Sequence, residues 1–501
     1  MRKSVVAMAV IGILAGASAP AAAPDGAGPP PFVSYPILVK VGEDGADHGH
    51  FIFGPGESLV PAPLAPHLGT ANYQPAAPSG FAAPSAGTDT DISAAPNSYE
   101  GETGAVSNGT VILGGSNHIF PGACSTTASG DTAGDCFPYA YASTDGATWT
   151  RSILPRTWNG TTFGIGFDPG IDVDKNGTFY YSYGMAPLSG TYPNAIVVAK
   201  SSNGTSWTQT TPVTFNKRSY FDDKYYIAID RSNSSFANRI YVAWDRNQAN
   251  NQILYVSYSS NGGSTWTAPI KVDDGKTKFE RVIGAYPAVD QATGKVYLSW
   301  HNYAKNIIYV DKSTNGGAGW GTDVAAATTH AGFGTDIGCV GGRSQGPAHA
   351  LKVGPSGALY LVYADPVSNR GFDILLTKST DGGATWSTPR TINDDAGARD
   401  QFHPTLSVES NGAGGDKVTV TFYDRRDDSA NCSAHVYATQ STDSGATWSA
   451  NIKLTTAASN FDGNPNGPGD YSSSTPAGGK VYPFFSDHRT SDFDVRSATV
   501  N

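Results

Sequence analysis

The chain has 501 residues, of which 59 are Gly, 32 are Pro and 15% are charged. A predominantly helical protein is excluded, because only six of the 43 acidic residues are Glu, and abundant Gly, Asp and aromatic residues favour short strands joined by tight turns. The net charge of -10 argues against nucleic-acid binding, and 39% hydrophobic residues exclude a disordered chain.

Residues 1–23 are predicted to be a secretory signal peptide. Arg2 and Lys3 precede the apolar run from Val5 to Ala15, and small residues follow it. This run is too short to span a bilayer, and no later segment reaches about 18 apolar residues. We therefore expect a secreted protein without a membrane span, in an oxidising environment where cysteines form disulfides.

Residues 24–98 are predicted to be a leader rich in Pro, Ala and Gly. Within it, the extended segment from Pro36 to Val41 could supply a strand to the domain that follows. Residues 99–501 form that domain, and they contain an internal repeat.

The repeat is a short turn motif that occurs six times and ends in Trp. Consecutive tryptophans are between 54 and 66 residues apart, a spacing typical of repeated supersecondary units. The copies are Ser143-Thr-Asp-Gly-Ala-Thr-Trp149, Ser201-Ser-Asn-Gly-Thr-Ser-Trp207, Ser259-Ser-Asn-Gly-Gly-Ser-Thr-Trp266, Ser313-Thr-Asn-Gly-Gly-Ala-Gly-Trp320, Ser379-Thr-Asp-Gly-Gly-Ala-Thr-Trp386 and Ser441-Thr-Asp-Ser-Gly-Ala-Thr-Trp448.

A second repeat, an apolar strand ending in an aromatic residue and then polar residues, occurs seven times. Ala288 to Trp300 is one example, and Val481 to Phe485 belongs to the last copy. Together the two repeats predict an all-β, seven-bladed β-propeller, with six blades as the alternative. Because the last copy lacks the turn motif, we expect an N-terminal strand to close the ring.

The turn motifs resemble Asp boxes, the bacterial neuraminidase repeat that occurs in sialidases and other propellers. Their Asp or Asn side chain can accept hydrogen bonds from backbone N–H groups two residues on, and Gly supplies the positive φ that the turn needs. We therefore expect a structural role, not a catalytic one, for Asp145, Asn203, Asn261, Asn315, Asp381 and Asp443.

Polar residues concentrate on the side of the propeller opposite these turns. If the strands of each blade are named A to D from the axis outward, the starts of the A strands and the ends of the B strands lie on that side. A binding mouth is predicted there, and its residues include Glu102, Asp168, Asp222, Asp223, Tyr225, Asp245, Arg246, Tyr286, His349, His403, Arg425, Asp470, Tyr471 and Arg489.

The four cysteines are expected to form two disulfides. Cys124 and Cys136 fall in one loop after the first B strand, whereas Cys339 and Cys432 fall in loops of neighbouring blades. No zinc-like spacing and no EF-hand pattern occurs, so no metal or cofactor is predicted.

The resemblance to sialidases implies an exo-glycosidase that acts on an acidic sugar or glycan. In that family three arginines hold the sugar carboxylate, a tyrosine activated by a glutamate is the nucleophile, and an aspartate is the acid/base. The resemblance therefore implies catalytic roles for Tyr471, Glu102, and Asp168 or Asp223, and substrate binding by Arg246, Arg425 and Arg489, with Arg343 and Arg426 as substitutes.

Two alternatives remain open for the same binding mouth. A polysaccharide lyase acting on uronic-acid polymers would need His or Tyr to move protons, which indicates His349, His403, Tyr225 and Tyr286. A propeller without catalytic activity would bind a glycan or a protein there. In each case a monomer is expected.

Overall fold

In this computed structural model, the described residues are 70–93, 98–119, 124–127, 134–188, 193–217, 221–248, 251–275, 281–332, 335, 337–340, 348–462, 467–490 and 492–501. All regular elements in these ranges are β-strands. The described part of the chain has no helix of the length and apolarity needed to cross a membrane. The predicted signal peptide, Pro36 to Val41 and Arg343 lie outside the described residues.

Three short strands precede the first sheet: β1 (Gln74–Pro75), β2 (Ala77–Pro78) and β3 (Thr90–Asp91). The first sheet holds β4 (Tyr99–Ser107), β5 (Ile112–Ile119), β6 (Tyr139–Ser143) and β7 (Thr150–Ile153), followed by the hairpin of β8 (Thr157–Trp158) and β9 (Thr161–Thr162). The second sheet holds β10 (Ile165–Val173), β11 (Phe179–Ala186), β12 (Asn194–Ser201), β13 (Thr208–Gln209) and β14 (Thr214–Asn216).

The next three sheets repeat the same arrangement. The third holds β15 (Phe221–Ile229), β16 (Ile240–Gln248), β17 (Asn251–Ser259) and β18 (Ile270–Lys271). The fourth holds β19 (Val282–Val289), β20 (Val296–Asn302), β21 (Ile307–Ser313) and β22 (Val324–Thr328). The fifth holds β23 (His349–Val353), β24 (Leu359–Val367), β25 (Gly371–Ser379) and β26 (Arg390–Thr391).

The last two sheets complete the chain. The sixth holds β27 (Gln401–Ser410), β28 (Asp416–Asp424), β29 (His435–Ser441) and β31 (Ile452–Lys453), and β30 (Thr447–Trp448) lies between β29 and β31 in sequence. The seventh holds β32 (Ser473–Ala477), β33 (Lys480–Asp487) and β34 (Asp494–Ser497).

The seven sheets are the blades of a closed propeller, which confirms the predicted fold class. Within each blade the neighbouring strands are antiparallel, and the inner strands of successive blades contact one another around the ring. The inner strand β32 of the seventh blade contacts β4 of the first, which closes the ring. Each blade is covered on both faces by its neighbours, so a strand such as β24 is buried at every position.

The repeated turns stabilise the outer part of the blades. In the first turn the Asp145 carboxylate accepts the N–H groups of Ala147 and Thr148, each at 2.8 Å, and the Ser143 hydroxyl at 2.9 Å. The structural role expected for the Asp and Asn side chains is confirmed. The equivalent side chains that accept backbone N–H groups are Asn203, Asn261, Asn315, Asp381 and Asp443.

The segment before the first blade continues along the outside of the last three. Strand β1 pairs with β26 of the fifth blade, β2 pairs with β30, and β3 pairs antiparallel with β34 of the seventh. An N-terminal segment therefore supplies the outermost strand of the last blade, and within the described residues that strand is Thr90–Asp91.

Both predicted disulfides are confirmed. Cys124 is bonded to Cys136, with a Cα–Cα distance of 5.6 Å, and Cys339 is bonded to Cys432, with a distance of 5.1 Å. The second bridge joins the loop before the fifth blade to the sixth blade, and it spans 93 residues of sequence.

The contact between the N-terminal segment and the seventh blade is expected to depend on Asp89. Its carboxylate accepts Arg489 at 2.7 Å and Arg496 at 2.8 Å. Burial opposes ionisation of Asp89, but hydrogen bonds from Arg496, Thr456 and Arg489 outweigh it and lower its pKa below 3.8. We expect Asp89→Ala to lower the free energy of unfolding at pH 7 by about 2 kcal/mol, because the half-buried guanidinium groups of Arg489 and Arg496 both lose a carboxylate partner.

The measurement is urea unfolding at several pH values. A carboxylate whose pKa is lowered by folding stabilises above its unfolded pKa and loses that contribution as the pH falls through its folded pKa. The difference between wild type and Asp89→Ala should therefore shrink below the unfolded value of 3.8. Asp492→Ala on the same blade is the control, and an equal loss in both variants would contradict the role of Asp89.

The two disulfides are expected to contribute unequally. The chain-entropy model gives about 3 kcal/mol for a loop of roughly 12 residues and about 4.6 kcal/mol for roughly 93. We expect the double variant of Cys339 and Cys432 to Ala to unfold at lower urea concentration than the matching variant of Cys124 and Cys136. The reverse order would show that local structure outweighs loop length.

Candidate functional site

The inner strands of five blades carry the same irregularity near the axis. The cross-strand register shifts by one residue in β4, β10, β15, β19 and β27, which is a β-bulge. A residue in each bulge has positive φ: Glu102 (54°), Asp168 (58°), Lys224 (55°), Gly284 (74°) and His403 (48°). Residues other than Gly adopt a positive φ at a cost in conformational energy, and such residues cluster at functional sites.

Lys224 is the centre of the resulting cluster. Its ammonium lies 2.5 Å from Asp470 Oδ2, 3.5 Å from Glu102 Oε1 and 3.9 Å from Asp168 Oδ1. The Lys224 side chain is only 6% exposed. The four residues come from the seventh, first, second and third blades, so one buried cation links four consecutive blades across the ring closure.

Backbone and amide groups hold the carboxylates in place. Asn117 donates from Nδ2 to Glu102 Oε2 at 2.6 Å, and its Oδ1 accepts the Asp168 N–H at 2.8 Å. Glu102 Oε1 also accepts the Asp470 N–H at 3.1 Å, and Asp168 Oδ2 accepts the Lys224 N–H at 2.9 Å. The bulges therefore supply both the side chains and the N–H groups that orient them.

Among the described residues, this cluster contains more carboxyl groups than the one ammonium of Lys224 can neutralise. Asp223 and Asp245 are opposite each other in the register of β15 and β16, and both are buried. Burial raises the pKa of Asp168 to about 7; Lys224 opposes the rise, and Asp223 adds to it. Burial also raises the pKa of Asp223, and that of Asp245 well above its usual range. Protons are therefore retained in this cluster at pH values where exposed carboxyl groups have lost them.

Three tyrosines form a layer next to the cluster. The ring of Tyr226 lies 4.9 Å from that of Tyr286 and 5.3 Å from that of Tyr471, measured between centroids. The Lys224 ammonium is 5.5 Å from the Tyr471 ring. Burial raises the pKa of Tyr226 and of Tyr471 well above its usual range, so both phenols are neutral. On the other side of this layer, a cavity of about 250 Å³ runs along the axis.

The structure brings together the four residues to which the resemblance gave catalytic roles. Glu102 and Asp168 contact Lys224, Asp223 precedes Lys224 on β15, and Tyr471 lies against the Lys224 ammonium. The first and seventh blades are adjacent at this point, since the Thr103 N–H donates to the Tyr471 carbonyl at 3.4 Å.

The other predicted residues on the inner strands have different surroundings. His349 and Tyr286 line the axial cavity, and His349 Nε2 is 3.1 Å from Ser299 Oγ. Burial lowers the pKa of His349 to about 4, so its imidazole is neutral at pH 7. His403 occupies the bulge of the sixth blade and packs against Phe402 and Tyr423.

The predicted substrate-binding arginines have carboxylate partners within the protein. Arg246 forms two hydrogen bonds with Asp222, at 2.6 and 2.9 Å, and Arg489 forms two with Asp487, at 2.7 and 2.9 Å. These contacts occupy donors that a substrate carboxylate would need.

Arg425 and Arg426 also have hydrogen-bond partners within the protein. Arg425 is fully buried and donates to the carbonyls of Ile337 and Gly338 and to Asp400. Arg426 donates to Asp424, Asp394 and Asn451.

Sequence reasoning missed Lys224, Asn117 and Tyr226. Lys224 directly follows Asp223, and Asn117 lies at the end of the first B strand, in the same place as Asp245 on the third. Considering one further residue at each A-strand start and each B-strand end would have found Lys224 and Asn117.

The sequence matches no protein-family model and no curated protein. An α-L-arabinanase of Penicillium chrysogenum is 12% identical, with a TM-score of 0.45 over 68% of this chain and 94% of that one. A Hadza microbial sialidase is 13% identical, with a TM-score of 0.42 over 72% and 73%. An ulvan lyase, a polysaccharide lyase, is 12% identical, with a TM-score of 0.44 over 85% and 94%. At these identities the likeness is one of fold alone.

The raised pKa of Asp168 predicts how stability depends on pH. A carboxyl group with a folded pKa of about 7 and an unfolded value of 3.8 stabilises fully below 3.8, and this contribution is lost as the pH rises through about 7. It amounts to about 4 kcal/mol. We expect Asp168→Asn to show a smaller fall in the free energy of unfolding between pH 4 and 8 than the wild type, measured by urea unfolding.

The control is Asp145→Asn. Three other turns already carry Asn at this position, and the pKa of Asp145 is about 2, below the tested range. This variant should keep the wild-type slope. An unchanged slope in Asp168→Asn would show that Asp168 does not retain its proton.

Proposed function

We propose that this protein is a secreted glycoside hydrolase whose catalytic carboxyl groups are those gathered around Lys224. The observation that supports this most is the pair of contrasting carboxyl groups. Asp168 has a pKa of about 7, whereas Glu102 lies 3.5 Å from the Lys224 ammonium and accepts two further hydrogen bonds. Glycosidases need two carboxyl groups in different environments, one of which can donate a proton at working pH.

In this proposal Asp168 donates its proton to the glycosidic oxygen as the bond to the anomeric carbon breaks, and later accepts a proton from water. Tyr471 attacks the anomeric carbon while its phenolic proton passes to Glu102. When water then attacks the same carbon, the bond to Tyr471 breaks and Glu102 returns the proton to the phenolate oxygen. A neutral phenol next to a carboxylate suits this role, because the raised pKa of Tyr471 keeps its proton in place until the transfer. Lys224 and Asn117 orient the carboxylates through their ion pairs and hydrogen bonds.

The finer proposal is a sialidase-like exo-glycosidase that acts on an acidic sugar. Such an enzyme would use Arg246, Arg425 and Arg489 for the sugar carboxylate. Since each of these guanidinium groups binds a carboxylate of the protein, they would have to exchange partners when substrate binds. The broader glycosidase proposal does not depend on that exchange.

The secreted location in this proposal has two supports. The first is the predicted signal peptide, and the second is the pair of disulfides, which are typical of proteins in oxidising compartments.

A polysaccharide lyase is the second candidate, and one observation favours it. His349 lies in the axial cavity with a neutral imidazole at pH 7, and Tyr286 lines the same cavity, so a proton acceptor and a donor are available together. A lyase would leave an unsaturated sugar that absorbs in the ultraviolet, whereas a hydrolase would release a reducing end without new absorbance.

The test is hydrolysis of aryl glycosides, including sialosides, arabinosides and uronides. On whichever substrate the wild type cleaves, we expect Asp168→Asn to lower kcat by about 100- to 10,000-fold, because the leaving oxygen loses its proton donor. The loss should be smaller for a dinitrophenyl leaving group, which departs without protonation. For the wild type, kcat/KM should fall as the pH rises above about 7, where Asp168 loses its proton.

Tyr471→Phe and Glu102→Gln extend the test, and Asp145→Asn is the control. The first two should lose turnover with either leaving group, and the control should keep it. Equal activity of Asp168→Asn and wild type would contradict the proposal. An ultraviolet-absorbing product would favour the lyase, and binding of a glycan without any product would favour a propeller without catalytic activity.

A further inference from the structure

The axial cavity is chemically distinct from the carboxyl cluster. It extends from the layer of Tyr226, Tyr286 and Tyr471 to Arg231 and Gln291, which follow the inner strands on the side of the repeated turns. At about 250 Å³ it is slightly smaller than the pockets of roughly 300 Å³ or more that hold drug-sized ligands. A ligand of monosaccharide size is the class that suits this space.

One inner strand places a lysine in this cavity, whereas the equivalent residue is Ala in the third and fourth blades and Asp172 in the second. The equivalence follows from the cross-strand pairs near the start of each second strand. Ala228 is opposite Tyr241, Ala288 is opposite Tyr297, and Lys352 is opposite Tyr360. Lys352 lines the cavity, and its ammonium is 5.6 Å from the centroid of the Tyr286 ring. Lys352 is half-buried, so its side chain can be reached by a ligand in the cavity.

The cavity has an excess of positive charge. Among the cavity-lining residues that the structure describes, Asp172 is the one carboxylate. Its Oδ1 binds Arg231 at 2.6 Å and the Val173 N–H at 2.8 Å, and its Oδ2 accepts the Ile229 N–H at 2.7 Å. Asp172 is therefore occupied, which leaves the Lys352 ammonium with the face of Tyr286 as its contact in the cavity.

The end of the cavity supplies flat rings and hydrogen-bond donors. The rings of Tyr226, Tyr286 and Tyr471 lie side by side, and those of Tyr226 and Tyr471 are neutral phenols that can donate. Aromatic rings pack against the apolar face of a sugar ring, and an ammonium with phenolic donors binds a carboxylate.

We propose that the axial cavity is a binding site for a monosaccharide that bears a carboxylate, held by Lys352 and the tyrosine layer. This site goes beyond the proposed hydrolase, because it lies on the opposite side of the tyrosine layer from Asp168 and Glu102. It can be tested by binding alone, without turnover.

The test is calorimetric titration of the full chain with D-glucuronate and, separately, with D-glucose. These two sugars differ in the carboxylate, so we expect glucuronate to bind at least about tenfold more tightly, with an affinity that falls as salt is added. Lys352→Ala should weaken glucuronate binding at least about tenfold and leave glucose binding unchanged. This variant introduces the residue that two other blades carry at the same level, so folding should be retained.

Two controls locate the site. Lys480→Ala removes the same charge from the exposed first residue of β33 and should bind glucuronate as the wild type does. Asp168→Asn, on the other side of the tyrosine layer, should also keep its affinity. Absence of glucuronate binding, equal affinities for the two sugars, or wild-type affinity in Lys352→Ala would each overturn the proposal. Loss of binding in Asp168→Asn alone would place the sugar in the carboxyl cluster and overturn it as well.

Discussion

The contact on which the centre of this propeller depends is the buried ammonium of Lys224 among carboxyl groups of other blades. Asp470, Glu102 and Asp168 come from the seventh, first and second blades, and each lies within 3.9 Å of the Lys224 ammonium. A buried ion pair contributes little net stability, but removing one partner is costly, because the remaining charge is left without compensation. The cluster therefore fixes how the first and last blades meet.

The same cluster places carboxyl groups with different tendencies to ionise close to one another. Burial raises the pKa values of Asp168, Asp223 and Asp245, and neighbouring carboxyl groups add to the rise, whereas Glu102 is held by Asn117 and Lys224. This contrast is what acid/base chemistry requires. The bulge residues with positive φ have a strained backbone, and the surrounding blades hold that backbone in place.

The tyrosine layer divides the axis into two environments. Within the described residues, the carboxyl groups on one side outnumber the Lys224 ammonium. On the other side, the Lys352 ammonium lies against the ring of Tyr286 in the cavity. Tyr471 contacts both sides, since it lies against Lys224 and also lines the cavity. A ligand in the cavity and a substrate at the carboxyl cluster would therefore share one aromatic residue.

The strands and the repeated turns could be predicted from the sequence, which also favoured seven blades over six and indicated the pairing of the four cysteines. These follow from local patterns: Asp145 and its equivalents bind N–H groups within their own turn, and a repeat of seven strands leaves one architecture that buries every copy. The order of the blades around the ring also places Glu102 next to Tyr471, because ring closure makes the first and last blades neighbours.

Which charged side chains contact one another could not be predicted from the sequence. Arg246 and Arg425 are predicted from position to face a substrate, yet Asp222 and Asp400 bind them, because the direction of a side chain depends on register and bulges and not on its place along a strand. No motif in the sequence distinguishes Lys224 or Lys352 from the other lysines. One bulge and one register position direct them to the axis, where the carboxylates that contact Lys224 and the ring that contacts Lys352 come from other blades.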